Sequence, residues 1–135
     1  MRPAAAVATL LILGGCSQGG QTGGQAAPDR FAGLDVEILK WRQEILAVDP
    51  LCKSQGAAQK CQSFEVACKA ERTVTPEDQA KGITAHVVTA MTFEGYDPKL
   101  RQGQSGARTA EFTKGAAGWT RAEHPPVNTS SCADV

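Results

Sequence analysis

Aromatic side chains are scarce: seven in 135 residues, namely Phe31, Trp41, Phe64, Phe93, Tyr96, Phe112 and Trp119. A base-stacking platform or an aromatic sugar cleft is poorly supplied by so few. There is no charge excess either, with 14 basic against 14 acidic residues. That argues against a nucleic-acid binder, which carries a basic stripe. Histidine occurs only as His86 and His124. Neither stands beside a Gly-x-Ser-x-Gly nucleophile or at zinc spacing, and there is no Cys-x-x-Cys. Adjacent carboxylates occur only at Glu77-Asp78, inside a helix-start pattern. Gly103-Gln104-Ser105-Gly106 lacks the Lys of a phosphate cradle. Asn128-Thr129-Ser130 matches a glycosylation pattern. The expectation is a non-enzymatic chain with no metal and no cofactor. Long apolar runs are missing too. The longest, Pro3 to Leu13, falls short of the roughly 20 residues that span a bilayer.

That short run carries an address. Arg2 is the only charge before Asp29, and the run ends in Leu13-Gly14-Gly15-Cys16. A single positive charge, a short apolar stretch and small residues read as a secretory leader. The four residues resemble a bacterial lipobox: an aliphatic residue, two small ones, then Cys. The resemblance implies lipidation of the Cys16 thiol, cleavage before it, and anchoring by two or three acyl chains. One chain alone binds only marginally. Ser17 in place of Asp is similar to the outer-membrane sorting pattern, which implies the periplasmic face of the outer membrane.

Three segments follow: 1–15 as lipoprotein signal peptide, 16–28 as lipidated Cys and tether, 29–135 as one α+β domain. Ser17 to Pro28 holds four glycines, no charge and no aromatic residue. Such a stretch nucleates no core and spans about 20 Å on average.

In the domain, Phe31, Leu34, Ile38, Trp41, Ile45 and Val48 recur at spacings of 3 and 4. That predicts one long amphipathic helix over 31–48, its stripe widened by Leu39 and Leu46. Asp29 or Asp35 is placed to cap its start, and Asp49-Pro50 stops it. The polar face is not Lys-rich, which favours packing on a sheet over lying on a membrane. Residues 51–62 read as a loop or frayed turn.

From Ser63 the period becomes 2. Phe64, Val66, Cys68, Ala70 and Val74 alternate with polar residues, although 57–70 also fits a helical face. Thr75-Pro76-Glu77-Asp78 is a helix-start signature, closed at Gly82. Ile83 to Phe93 is the clearest strand, broken by Gly95-Tyr96-Asp97-Pro98 with a loop to about Ser105. Residues 108–114 and 119–123 read as strands joined by a turn at 115–118, with an irregular tail from His124. The expected architecture is α+β: one long helix on a three- to four-stranded antiparallel sheet. Its element order resembles cystatin-like and nuclear-transport-factor-2-like domains.

Beyond Cys16, four cysteines remain: Cys52, Cys61, Cys68 and Cys132. An even count in an exported chain implies two disulfides. Cys61 and Cys68 lie about 10 Å apart along a helix or about 23 Å along a strand, too far to pair. Cys52 therefore pairs with Cys61 or Cys68, and Cys132 with the other. Cys52–Cys61 with Cys68–Cys132 is preferred, because it pins the tail to the sheet.

One short segment points to a function. Ser105-Gly106-Ala107-Arg108, then Lys114-Gly115 and a late Cys, resemble part of the membrane-bound lysozyme inhibitors over about 11 residues. The resemblance implies that Ser105 and Lys114 enter a lysozyme cleft, with Arg108 beside them. Three functions thus stand as expectations. The leading one is a lipid-anchored envelope protein that binds or supports an unknown envelope partner. The others are a periplasmic lysozyme-type inhibitor and a small-ligand pocket between helix and sheet.

Overall fold

The computed structural model describes residues 29–53 and 61–135. The leader, Cys16 and the 16–28 tether lie outside the described residues, as does 54–60. The architecture is α+β: helix α1 (Leu34–Val48), strand β1 (Gln62–Arg72), a single turn of helix α2 (Pro76–Ala80), then β2 (Ala85–Asp97), β3 (Gln102–Gly115) and β4 (Gly118–Glu123). The four strands form one open antiparallel sheet in chain order. Among the described residues no helix is long and apolar enough to cross a membrane.

The helix is shorter than its apolar stripe suggests, at 15 residues. Neither Asp29 nor Asp35 caps it. Asp29 instead accepts the Phe31 N–H at 2.9 Å, closing a turn ahead of the helix. Gly33 then takes the N-cap at φ +86°, a left-handed conformation that glycine enters without Cβ cost. Phe31 is thereby excluded from the helix but still packs on its core. At the other end Val48 points outward, 63% exposed, and Asp49 turns extended ahead of Pro50.

Leu34, Ile38, Trp41 and Ile45 bury the helix against Val87, Met91, Phe93, Ala110 and Phe112. Trp41 meets Phe112 edge to face at 5.9 Å, and Phe64 stacks on Phe93 at 5.2 Å. Each such side chain contributes about 1.5–3 kcal/mol on burial.

Strand, not helix, is the state of 62–70, and its alternation contains a phase change. Val66 pairs with Met91 and Cys68 with Ala90, so Ala67 is an extra residue, a β-bulge. Phe64 and Val66 therefore lie on the helix side. Cys68 and Ala70 turn to the opposite side, where they pack with Val88, Ala90, Val127 and Cys132. Of this second cluster the sequence marks only the Cys68–Cys132 bond. The C-terminal tail crosses the back of the sheet and buries Cys132 completely. Arg72 holds the tail, donating to the Cys132 carbonyl at 2.7 Å and to Asp134 at 2.9 Å.

Strands β2 and β3 also run further than expected. The ladder continues unbroken from Ala85↔Lys114 to Asp97↔Gln102, so Gly95 to Asp97 and Gln102 to Ser105 are strand. The break falls at Pro98, with Asp97 accepting the Lys99 and Leu100 N–H groups in the tip. Gly106 sits opposite Phe93 in this ladder and leaves room for its ring.

Candidate functional site

The corner between the end of α1 and the middle of β3 is built around a buried carboxylate paired with an arginine. Asp49, the first residue past the helix, is buried, with a side chain 2% exposed. Its main chain closes the helix through the Ile45 carbonyl at 2.9 Å and accepts Cys52 N–H at 2.9 Å and Lys53 N–H at 3.0 Å. Its carboxylate accepts Leu51 N–H at 2.9 Å and receives the Arg108 guanidinium on the other oxygen. Arg108 is 46% exposed, so the pair joins a buried anion to a cation that reaches solvent. A lone buried carboxylate is costly, and a charged donor offsets that cost.

Two shallow grooves flank this pair. One, of about 220 Å³, runs along Trp41, Glu44, Val48, Asp49 and Glu123. The other, of about 240 Å³, lies between Pro50, Phe93 and Gly106. Arg121 bridges Glu44 of the helix and Glu123 of its own strand. The charges at this corner are thus mutually satisfied and hold the helix to the sheet. Asp49 and Arg121 carried no functional signal in the sequence beyond a helix stop and a strand position.

The other residues singled out are scattered. Ser105 donates to Glu94 at 2.8 Å near the hairpin tip. Lys114 donates to the Arg30 carbonyl at 3.0 Å and lies over the Trp119 ring at 5.7 Å. Trp119 donates its indole N–H to the Ala32 carbonyl at 2.9 Å. Lys114 and Trp119 thus clamp the segment leading into α1. Ser105 and Lys114 are nine positions apart on one strand, about 30 Å, and on opposite faces. The structure does not bring them together, and only Arg108 of the three lies at the corner.

His86 faces Glu111 across the back of the sheet at 3.0 Å. His124 contacts the Pro125 carbonyl at 2.8 Å. Among the described residues no group of three or more His, Cys, Asp or Glu is placed to hold a metal ion. The cysteines pair as Cys52–Cys61 and Cys68–Cys132, the pairing preferred because it pins the tail to the sheet. The first ties the end of the helix to the start of β1, and the second ties β1 to the tail.

Comparison with protein-family models, with curated proteins and with solved structures finds no match for this chain.

Proposed function

We propose that this chain is a lipid-anchored protein of the bacterial envelope, tethered through Cys16, whose domain binds or supports a macromolecular partner without catalysing a reaction. The observation that carries the reading is the filled space between helix and sheet. Trp41, Phe93 and Phe112 are each buried to 2% exposure or less in that layer. The grooves around it hold about 210 to 240 Å³ and are open to solvent. Ligand pockets generally enclose about 300–1,000 Å³. A packed core with small, open grooves supports a partner surface over a small-ligand pocket. Two disulfides in so small a domain fit an oxidising compartment. The order of one helix and four antiparallel strands resembles cystatin-like and nuclear-transport-factor-2-like domains, an analogy of architecture that names no partner.

An inhibitor of lysozyme by the resemblance above needs Ser105 and Lys114 side by side, and their separation does not favour it. The domain is expected to leave c-type lysozyme activity unchanged. The anchoring is tested by Cys16→Ser. The expected result is loss of labelled palmitate and of membrane retention, or an uncleaved leader. Membrane retention of Cys16→Ser without palmitate would overturn the anchor. The partner is sought by crosslinking in cells followed by mass spectrometry. A single envelope protein recovered through residues of the Arg108 corner supports the binding role.

A further inference from the structure

Strand β3 is fourteen residues long, but its outer neighbour β4 covers only Ala110 to Gly115. Among the described residues, nothing pairs with the outer edge of the sheet from Gln102 to Arg108. The reason lies in the sequence of the departing chain. After Glu123 the His124 N–H still reaches the Thr109 carbonyl at 3.1 Å, and then Pro125-Pro126 follow. Proline has no N–H to give to a ladder, so the tail leaves the edge there and folds over the back of the sheet. Because Thr109 directs its carbonyl outward, the alternation of a strand sends the N–H and C=O groups of Ala107, Ser105 and Gly103 outward as well.

Open edges are normally blunted by proline, inward charge or a covering element. The stretch Gln102-Gly103-Gln104-Ser105-Gly106-Ala107 has none of these on its own strand. It is uncharged, and Gly103, Ser105, Gly106 and Ala107 are small, which lets a second backbone approach. Its ends are charged in a self-matching way. The hairpin tip beyond Gln102 is basic, with Lys99 and Arg101 both exposed. The far end is bounded by Glu123, which pairs with Arg121 at 2.9 Å and keeps a side chain 74% exposed to a further cation.

We infer that this edge pairs with the same edge of a second copy of the chain, antiparallel and about a two-fold axis at Gln104, joining two sheets into one of eight strands. In that register Gly103 of each copy faces Ser105 of the other, an outward-directed pair, and the two symmetric pairs exchange about four backbone hydrogen bonds. The axis at 104 carries the tip of each copy along the lane of its neighbour's β4, so Lys99 and Arg101 arrive at Glu123 twice over. An isologous contact of this kind closes on itself and does not propagate into fibres. The inference does not depend on lipid anchoring.

The test uses the full chain expressed in an oxidising compartment, with Gln104→Cys as the reporter and Lys81→Cys, on α2's far end, as the control. Gln104 occupies a non-hydrogen-bonded position in this register, with Cα atoms about 4.5 Å apart, within the reach of a disulfide. Non-reducing electrophoresis is expected to show a band of twice the mass for Gln104→Cys and at least tenfold less for Lys81→Cys. Adding Ala107→Pro removes an outward N–H that no internal bond uses, and should abolish the band. Retention of both internal disulfides then certifies the fold. Glu123→Lys should lower the band severalfold, and Glu123→Lys combined with Lys99→Glu and Arg101→Glu should restore it. Equal crosslinking at 81 and 104, persistence with Ala107→Pro, or a crosslink from 104 to a different protein would overturn the inference. So would a purely monomeric mass for the unsubstituted chain at every concentration reached.

Discussion

The ring of Phe93 lies directly over Gly106, its partner on the neighbouring strand, and a Cβ at position 106 would stand 2.5 Å from Phe93 Cζ. Phe93 is itself buried in the helix-facing core and stacked on Phe64. The glycine is required by this close approach and by no unusual backbone angle.

Gly106→Ala should therefore be destabilising by about 1–3 kcal/mol, the usual cost of forcing extra volume into a packed site. Urea denaturation reads this as a lower midpoint with an unchanged slope. Combining it with Phe93→Leu should recover part of the loss. A double variant that loses the full sum of both changes would show that the two residues do not share the space.

Thr89 is completely buried, and its hydroxyl oxygen has no hydrogen-bond partner. It sits between Lys69 and Ala110 in the sheet, on the face covered by the helix. Thr89→Val keeps the shape and removes an unpaired polar atom. It should stabilise the domain by about 1 kcal/mol in the same denaturation experiment. A neutral or lower midpoint would indicate a partner for that hydroxyl in solution.

At the corner, Arg108→Ala should cost about 1–3 kcal/mol, because the Asp49 carboxylate loses its charged donor while remaining buried. The cost is held below that of a fully buried pair by the exposure of the arginine. Asp49→Asn combined with Arg108→Ala should cost less than the sum of the two single losses. Additive losses in this double-mutant cycle would show that the two side chains do not interact.

The tail is held by Cys68–Cys132, a bond that closes a loop of 64 positions. In the chain-entropy account such a closure contributes about 4 kcal/mol. Cys68→Ala with Cys132→Ala should lower stability by that order. It should also expose the 124–135 segment to limited proteolysis ahead of the rest. Cleavage that begins instead in β1 would place the weak point elsewhere.

Much of the frame was legible in the sequence because it depends on spacing alone. The 3-and-4 stripe through Leu34, Ile38, Trp41 and Ile45 marks the helix, and Thr75-Pro76 marks the start of α2, where Thr75 accepts the Asp78 N–H at 3.1 Å. The helix start was misplaced because Gly33 in a left-handed conformation is a local backbone choice, invisible to periodicity. Gly95 to Ser105 reads as a loop because glycines and a proline cluster there. Gly95 to Asp97 and Gln102 to Ser105 are nevertheless strand, and the glycine at 95 stands where a Cβ would meet Leu51. The bulge at Ala67 reverses the phase of β1, and no alternation rule signals a single added residue. The Arg108–Asp49 pair joins positions 59 apart, a distance that only the folded chain closes.

The position of the tail has a temporal consequence. Val88 and Ala90 form part of the back of the central strand and find their cover in Val127 and Cys132. A chain made from its N-terminus leaves that surface bare until Val127 and Cys132 emerge. Helix, hairpin and the Cys52–Cys61 bond involve only earlier residues and can form before them. The Cys68–Cys132 bond closes later. A chain cut before Cys132 would keep Cys68 as a free thiol on an uncovered apolar surface.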